Sequence, residues 1–220
     1  MGIMLANLRR VHCHKVFGSL ALLFASVFLS TIAAEEVQTN KALKQYISTS
    51  TNQLVTKLAE NRQAYKADSE LFYRDLNTEL SNVIDFKRIA LKVMGKYSRQ
   101  ASKAQRLKFI NKFKESLYHT YANVLLEDNA VEISVINAIL NPRNLKKAKA
   151  NIAITSAGGA IYDVVYSLHK GKDQIYRVEN IVVMGINLGL AYKDRFQQQV
   201  KAHKGDIKMV IDNWTFDGAV

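Results

Sequence analysis

The chain has 220 residues, 48% of them apolar and 23% charged, which fits one domain or at most two small ones and is too apolar for a disordered chain. Ten glycines and one proline make 11 breakers, 5% of the chain against roughly 12% on average, so collagen-like, low-complexity and linker-rich architectures are excluded. The net charge of +12, from 31 basic and 19 acidic residues, admits an anionic partner (nucleic acid, membrane headgroups or an acidic protein) without choosing among them.

Residues 1–34 contain no acid. Arg9, Arg10 and Lys15 precede an apolar run of fourteen residues, Val16 to Leu29, and the small residues Ala33 and Ala34 stand before Glu35-Glu36. This is the pattern of a cleavable secretory signal, with cleavage expected after Ala33 or Ala34. Fourteen apolar residues are short for a membrane span, which needs about 20. Cys13 precedes the apolar run, where a lipoprotein signal would need it afterwards. The expected organisation is therefore a signal over 1–34 and one domain over 35–220. That domain lacks cysteine, which excludes disulfides and thiol chemistry and suits an oxidising compartment.

From Val37 to about Glu127 the apolar residues follow a helical period. Leu43, Ile47, Leu54, Val55 and Leu58 form one stripe, and Phe72, Leu76, Leu80, Val83 and Ile84 another. The clearest helix spans about Ser102 to Leu126. Phe109, Phe113, Leu117 and Tyr121 step by four beside Ile110 and Val124, Ser102 serves as N-cap, and Lys108, Lys112 and Glu115 lie opposite. Near Ala130 the period becomes two. Val131, Ile133 and Val135 predict one strand, with Ile152 and Ile154 in a second and Pro142 in the connection. Ile161–His169 and Ile175–Met184 predict two more, bounded by turns at Ala157–Ala160 and Lys170–Asp173. Turns this short require antiparallel pairing. Leu188, Tyr192, Phe196 and Val200 restore the helical period, and a short helix over about Asp206 to Trp214 follows. The fold class is α+β: N-terminal and C-terminal helices packed on a curved antiparallel sheet of about four strands.

Signatures of catalysis are missing. His119, His169 and His203 are scattered, and there is no HExxH, GxSxG, Walker loop or GxGxxG. Gly158-Gly159 reads as a hairpin turn. Asp163 and Glu179 on neighbouring strands are the one conceivable acid/base pair, against the plainer reading of a solvated sheet face neutralised by Arg177. The basic residues cluster instead. Phe86 to Lys114 holds ten cations and no acid among twenty-nine residues, and Arg143, Lys146, Lys147 and Lys149 form a second group. These are either solvated faces or attractors for an anionic membrane surface or an acidic partner, with Lys103, Lys108 and Lys112 as docking candidates. No nucleic-acid-binding signature accompanies them, so nucleic acid is not expected as a partner.

Two stretches carry a resemblance. Over Val83 to Leu126, Asp85, Phe86, Gly95, Tyr97, Gln105, Arg106, Phe109, Phe113, Leu117 and Tyr121 follow one family pattern. Over Tyr176 to Phe196, Val178, Gly185, Tyr192 and Phe196 follow its continuation. Tyr176 there replaces the usual Trp and Lys193 the usual Arg, while Glu179, Asn180, Met184 and Asn187 replace Tyr, Asp, Glu and Ser. The chain thus resembles the MlaC-type periplasmic phospholipid-binding proteins, also called the toluene-tolerance family. The resemblance implies a monomeric, non-enzymatic carrier without a cofactor, whose cargo is a phospholipid. It implies a shuttle between an outer-membrane lipoprotein complex and an inner-membrane ABC transporter complex that maintains outer-membrane lipid asymmetry.

Exposing an acyl chain to water costs about 0.8 kcal/mol per CH₂, so a chain of about sixteen carbons needs an enclosed apolar cavity. Matching to the family points first to Ile161 and Ile186 as its lining. Val165, Val182, Leu190, Phe113 and Leu117 follow by the strand and helix periods, each equally readable as plain core. Two other classes compete with the carrier: a cationic periplasmic interaction protein with a solid core, and a hydrolase or isomerase on the same scaffold.

Overall fold

The computed structural model describes residues 39–126, 132–156 and 158–215, for 121–126 the backbone only. Contacts group Asn40–Val220 as one unit, and the architecture below is that unit's. The expected leader, Val131, Ala157 and the side chains of Tyr121 and Val124 lie outside the described residues.

The long helical stretch is divided where its caps dictate. Helix α1 covers 39–60, α2 Arg62–Ala67, α3 Ser69–Val83, α4 Phe86–Met94, α5 Tyr97–Gln100 and α6 Lys103–Leu126. The Asp68 side chain accepts from Leu71 N–H and that of Asp85 from Arg88 N–H, opening α3 and α4. Gly95, with φ of 56°, closes α4. Ser102 is the cap the sequence predicts. Its hydroxyl accepts from Gln105 N–H at 3.1 Å and Gln105 Oε1 accepts from Ser102 N–H at 2.7 Å, a reciprocal capping box.

The sheet has five strands in the order β1-β2-β3-β4-β5, all antiparallel, one more than expected. They are β1 Glu132–Leu140, β2 Lys147–Thr155, β3 Ile161–Lys170, β4 Tyr176–Val183 and the two-residue β5 Ile186–Asn187. Met184 and Gly185 both have positive φ (48° and 82°), the conformation of a tight two-residue hairpin, and this turn makes the extra strand. Helix α7, Leu188–Ala202, and helix α8, Ile207–Asp212, complete the unit.

Apolar residues collect in three clusters. Leu43 and Ile47 of α1 pack on the inward sheet residues Val135, Ala150, Ile152, Val164, Leu168 and Val178. Tyr65, Phe72 and Leu76 of α2 and α3 meet Phe86 and Tyr118. A third cluster, without sheet residues, joins Val93 and Met94 of α4, Phe109 and Phe113 of α6, Tyr192 and Phe196 of α7 and Ile211 of α8 with Trp214 just beyond it. There Phe109 stands edge-on to Phe196 at 4.9 Å and to Trp214 at 5.2 Å between centroids, the favoured aromatic geometry.

One ionic cluster ties the sheet to α4. A bulge between Asn180 and Val178 displaces Glu179, which is 5% exposed and binds Arg88 and Lys92 of α4 (Lys92 at 2.8 Å) and Lys147 of β2. Burial pushes its carboxyl up, but the hydrogen bonds from Lys147, Lys92 and Arg88 outweigh this and hold it at about 2, from 4.5. Arg177, expected to neutralise this face, binds Asp173 instead at 2.8 Å. Beside the cluster, burial and then Arg88 push the His169 imidazole below its ordinary value.

Phe109→Ala removes an unexposed ring from the helical cluster and costs about 3–5 kcal/mol, read as a lower midpoint in urea unfolding. Glu179→Gln leaves three cations without their carboxylate and costs about 2–4 kcal/mol at neutral pH. A depressed carboxylate stabilises the fold above its unfolded value of 4.5 and loses that contribution as pH falls toward 2, about 3 kcal/mol in all. The depressed His169 acts in the same direction below 6.5. Thermal unfolding followed by circular dichroism should therefore show a falling midpoint on acidification, with a shallower acid limb in the Gln variant.

Candidate functional site

Between the three clusters the packing leaves two apolar cavities. The first lies between α1, α3 and the inward sheet face. It holds about 620 Å³ of unfilled space, mouth included, walled by Tyr46, Ile47 and Leu54 on α1, Leu80 and Val83 on α3, and Ile133, Tyr166, Leu168, Tyr176 and Val178 on the strands. The second, about 730 Å³, lies where α3, α4, α6, α7 and β4 converge. Its walls include Phe86, Ile89, Phe113, Leu117, Tyr118, Leu188 and Tyr192. Leu80, Ile84 and Ile181 line both, so the two spaces share one partition. The enclosed part of that space is smaller, about 110 Å³ in the first and about 170 Å³ in the second when measured by the positions a water molecule's centre can take.

Neither wall carries a charged residue. Burial pushes the Tyr118, Tyr166 and Tyr176 phenols up, so these polar groups stay neutral as well. At the second cavity, Asn180 Oδ1 accepts from Gly189 N–H at 3.1 Å and also sits 2.2 Å from where a Cβ on Gly189 would be. A side chain at Gly189 would displace the Asn180 amide and break this bond between α7 and β4. Such walls can shelter apolar material. They carry no acid or base that could activate the Ser50 and Thr51 hydroxyls of the first wall, and among the described residues no group of His, Asp and Glu is placed to hold a metal ion.

Of the seven residues named for the cavity, Phe113 and Leu117 line the second one. Phe113 also belongs to the helical cluster, so it is core on one side and wall on the other. The other five lie off both cavities. Val165 and Val182 form a cross-strand pair in the row of Asn151, on the sheet face opposite Tyr166 and Ile181. Ile161, Ile186 and Leu190 are 63%, 47% and 52% exposed. Ile186 and Leu190 flank Leu188 and Gly189 of the second wall, while Ile161 begins β3. Walls that sequence reasoning did not assign to the cavity include Tyr46, Leu80, Ile84, Tyr166 and Ile181. Leu80 and Ile84 stood in the amphipathic stripe of the second helical stretch, the one signal that pointed inward.

The other candidates are distributed differently. Asp163 is exposed and pairs with Met184, while Glu179 stands opposite the Ser167–Leu168 step, about 13 Å away along β3. The two carboxylates therefore do not assemble. Lys103 is exposed, Lys112 half-buried, and Lys108 bound to Asp212 at 2.7 Å. No described helix is long and apolar enough to cross a membrane.

Comparison with known proteins agrees with this architecture. The MlaC protein family matches residues 48–215. A toluene tolerance protein, ttg2D of Pseudomonas putida, is 33% identical over 196 residues, which cover 89% of this chain and 87% of the relative. A phospholipid-binding protein of Ralstonia solanacearum, solved in complex with a phospholipid, superposes with a TM-score of 0.66 at 17% identity, covering 77% of this chain and 92% of that one. On the extent of the family match and the identity to the Pseudomonas protein, the chain belongs to the MlaC family.

Proposed function

We propose that the protein is a periplasmic phospholipid carrier that moves lipid between an outer-membrane lipoprotein complex and an inner-membrane ABC transporter complex. The observation that carries this reading is the pair of uncharged apolar cavities divided by Leu80, Ile84 and Ile181. Each takes an acyl chain, with the headgroup left at solvent. The same unfilled space speaks against a solid-core interaction protein, and the separation of Asp163 from Glu179 speaks against an enzyme on this scaffold. The family membership and the phospholipid in the Ralstonia structure support the choice of cargo.

Cargo transfer in this reading needs no covalent step. A partner that binds the empty form better than the filled one shifts the lipid equilibrium by its differential affinity. Lys103 and Lys112 of α6 are offered to an acidic docking surface of such a partner. Ile161, Ile186 and Leu190 meet lipid or partner from outside the cavities. Residues 1–34 are the export signal, so the amino terminus of the exported protein is Ala34 or Glu35 by chemical sequencing.

Organic extraction of freshly purified, natively expressed protein followed by mass spectrometry is the direct test. Phospholipid should be recovered in stoichiometric amount. Ile181→Trp, which puts a large ring on the shared partition, should lower the lipid recovered per protein severalfold while the circular dichroism spectrum stays unchanged. A clean blank from the unmodified protein would remove the carrier reading.

A further inference from the structure

The second basic group of the sequence, Arg143, Lys146, Lys147 and Lys149, is not used by either cavity wall. It occupies the β1–β2 hairpin, which is held in one shape by its own side chains. Asn141 Oδ1 accepts from Arg143 N–H at 2.9 Å and Asn144 Oδ1 from Lys146 N–H at 3.1 Å, with Pro142 between them. The β3–β4 hairpin lies beside it. Lys170 N–H donates to Lys146 O at 2.8 Å, and the Tyr176 hydroxyl donates to Leu145 O. Two turns from different parts of the chain thus form one end of the sheet.

The composition of that end is unusual for a solvated surface. Leu145 is 63% exposed, Ile139 52% and Ile175 39%. Between them stand the exposed cations Arg143, Lys146, Lys149 and Lys172. The one acid on the two turns, Asp173, is already bound by Arg177 at 2.8 Å. Aliphatic side chains at protruding turns, ringed by long cationic side chains, are what interfacial membrane-binding surfaces present. The aliphatic groups enter the headgroup layer while the cations stay at the anionic surface.

We propose that the paired hairpin tips are a peripheral docking surface for an anionic lipid bilayer. The charge is complementary to such a surface, and the apolar residues have no covering element among the described residues. A deformable headgroup layer takes up exposed aliphatic side chains among cations without a fitted shape, whereas an acidic protein would need a surface matched to both turns. Docking this end also brings the first cavity to the lipid. Tyr46 and Tyr176 line that cavity, the Tyr46 hydroxyl donates to Tyr176 O at 3.3 Å, and Tyr176 is itself tied to the hairpin at Leu145.

The test is co-sedimentation of the purified protein with phosphatidylglycerol–phosphatidylethanolamine vesicles against phosphatidylcholine vesicles. The readout is protein on vesicles, so it does not depend on whether the cavities carry cargo. Binding should be confined to the anionic vesicles and disappear in about 1 M salt, where the Debye length is about 3 Å. Arg143→Gln, Lys146→Gln and Lys172→Gln together should lower the partition coefficient about 100-fold, near fivefold for each cation removed. Leu145→Ser with Ile175→Ser should lower it about tenfold at constant charge. The same loss of charge elsewhere, by Arg99→Gln on α5, Lys201→Gln at the end of α7 and Lys204→Gln just after it, should leave it within about twofold, since these exposed cations belong to neither hairpin and a charge more than a Debye length of about 8 Å from a surface is largely screened. Circular dichroism of every variant should match the unmodified protein. The proposal falls if the unmodified protein stays off anionic vesicles or if the distant triple variant loses as much binding as the hairpin one. It falls equally if the Ser pair changes nothing, which would mark a purely electrostatic surface suited to an acidic protein.

Discussion

Holding an apolar space open inside a protein of this size runs against the tendency of side chains to collapse into it, because a cavity forfeits dispersion contacts on every lining atom. The structure resists collapse by fastening the cavity walls at places other than the cavities. The α6 and α7 wall is held by the aromatic cluster of Phe109, Phe196 and Trp214. The α1 wall is held by Leu43 and Ile47 against the sheet. The α3 wall is held by Phe72 and Leu76 against Phe86 and Tyr118. The partition of Leu80, Ile84 and Ile181 stands where the sheet cluster meets the α2–α3 cluster, with Ile84 packed against both.

Electrostatics does a separate job. Glu179 draws Arg88 and Lys92 from α4 and Lys147 from β2 onto one buried carboxylate, so the helix that carries Phe86 and Ile89 to the second cavity is locked to the strand that carries Ile181. This fastening lies away from both cavity walls, which stay uncharged. Segregating charge in this way suits a cavity for alkyl chains, since a buried charge facing it would have to be desolvated whenever the cavity filled. The exposed cations stand on the surface, those of α6 and the hairpin end among them.

The helical half is readable to the level of buried faces. The four-step spacing of Phe109 and Phe113, and of Tyr192, Phe196 and Val200, identifies the faces that meet, because a helix has one apolar stripe and only that stripe can be buried. The strands were harder. In β3 both faces carry large apolar residues, with Val164, Tyr166 and Leu168 on one and Ile161 and Val165 on the other. Alternation separates those two sets without saying which one helices cover. Bulges at Ile136 and Glu179 then shift the phase partway along β1 and β4, so counting by twos across them exchanges the faces. Val165 and Val182 therefore stand on the sheet face away from the two cavities, whereas Phe113 and Leu117, on a helix with one apolar stripe, stand at a wall.

Taken by itself, the amino-acid sequence determined the element types, their order, the antiparallel pairing forced by short turns, the Ser102 cap and the two basic groups. All of these rest on interactions between residues close along the chain. The tertiary structure alone decided that the apolar stripes do not close on one another, that Leu80, Ile84 and Ile181 come to one partition, and that Lys146 and Lys170 lie side by side. Those outcomes depend on how far apart whole elements are held, a balance of packing over distant residues that no local period encodes.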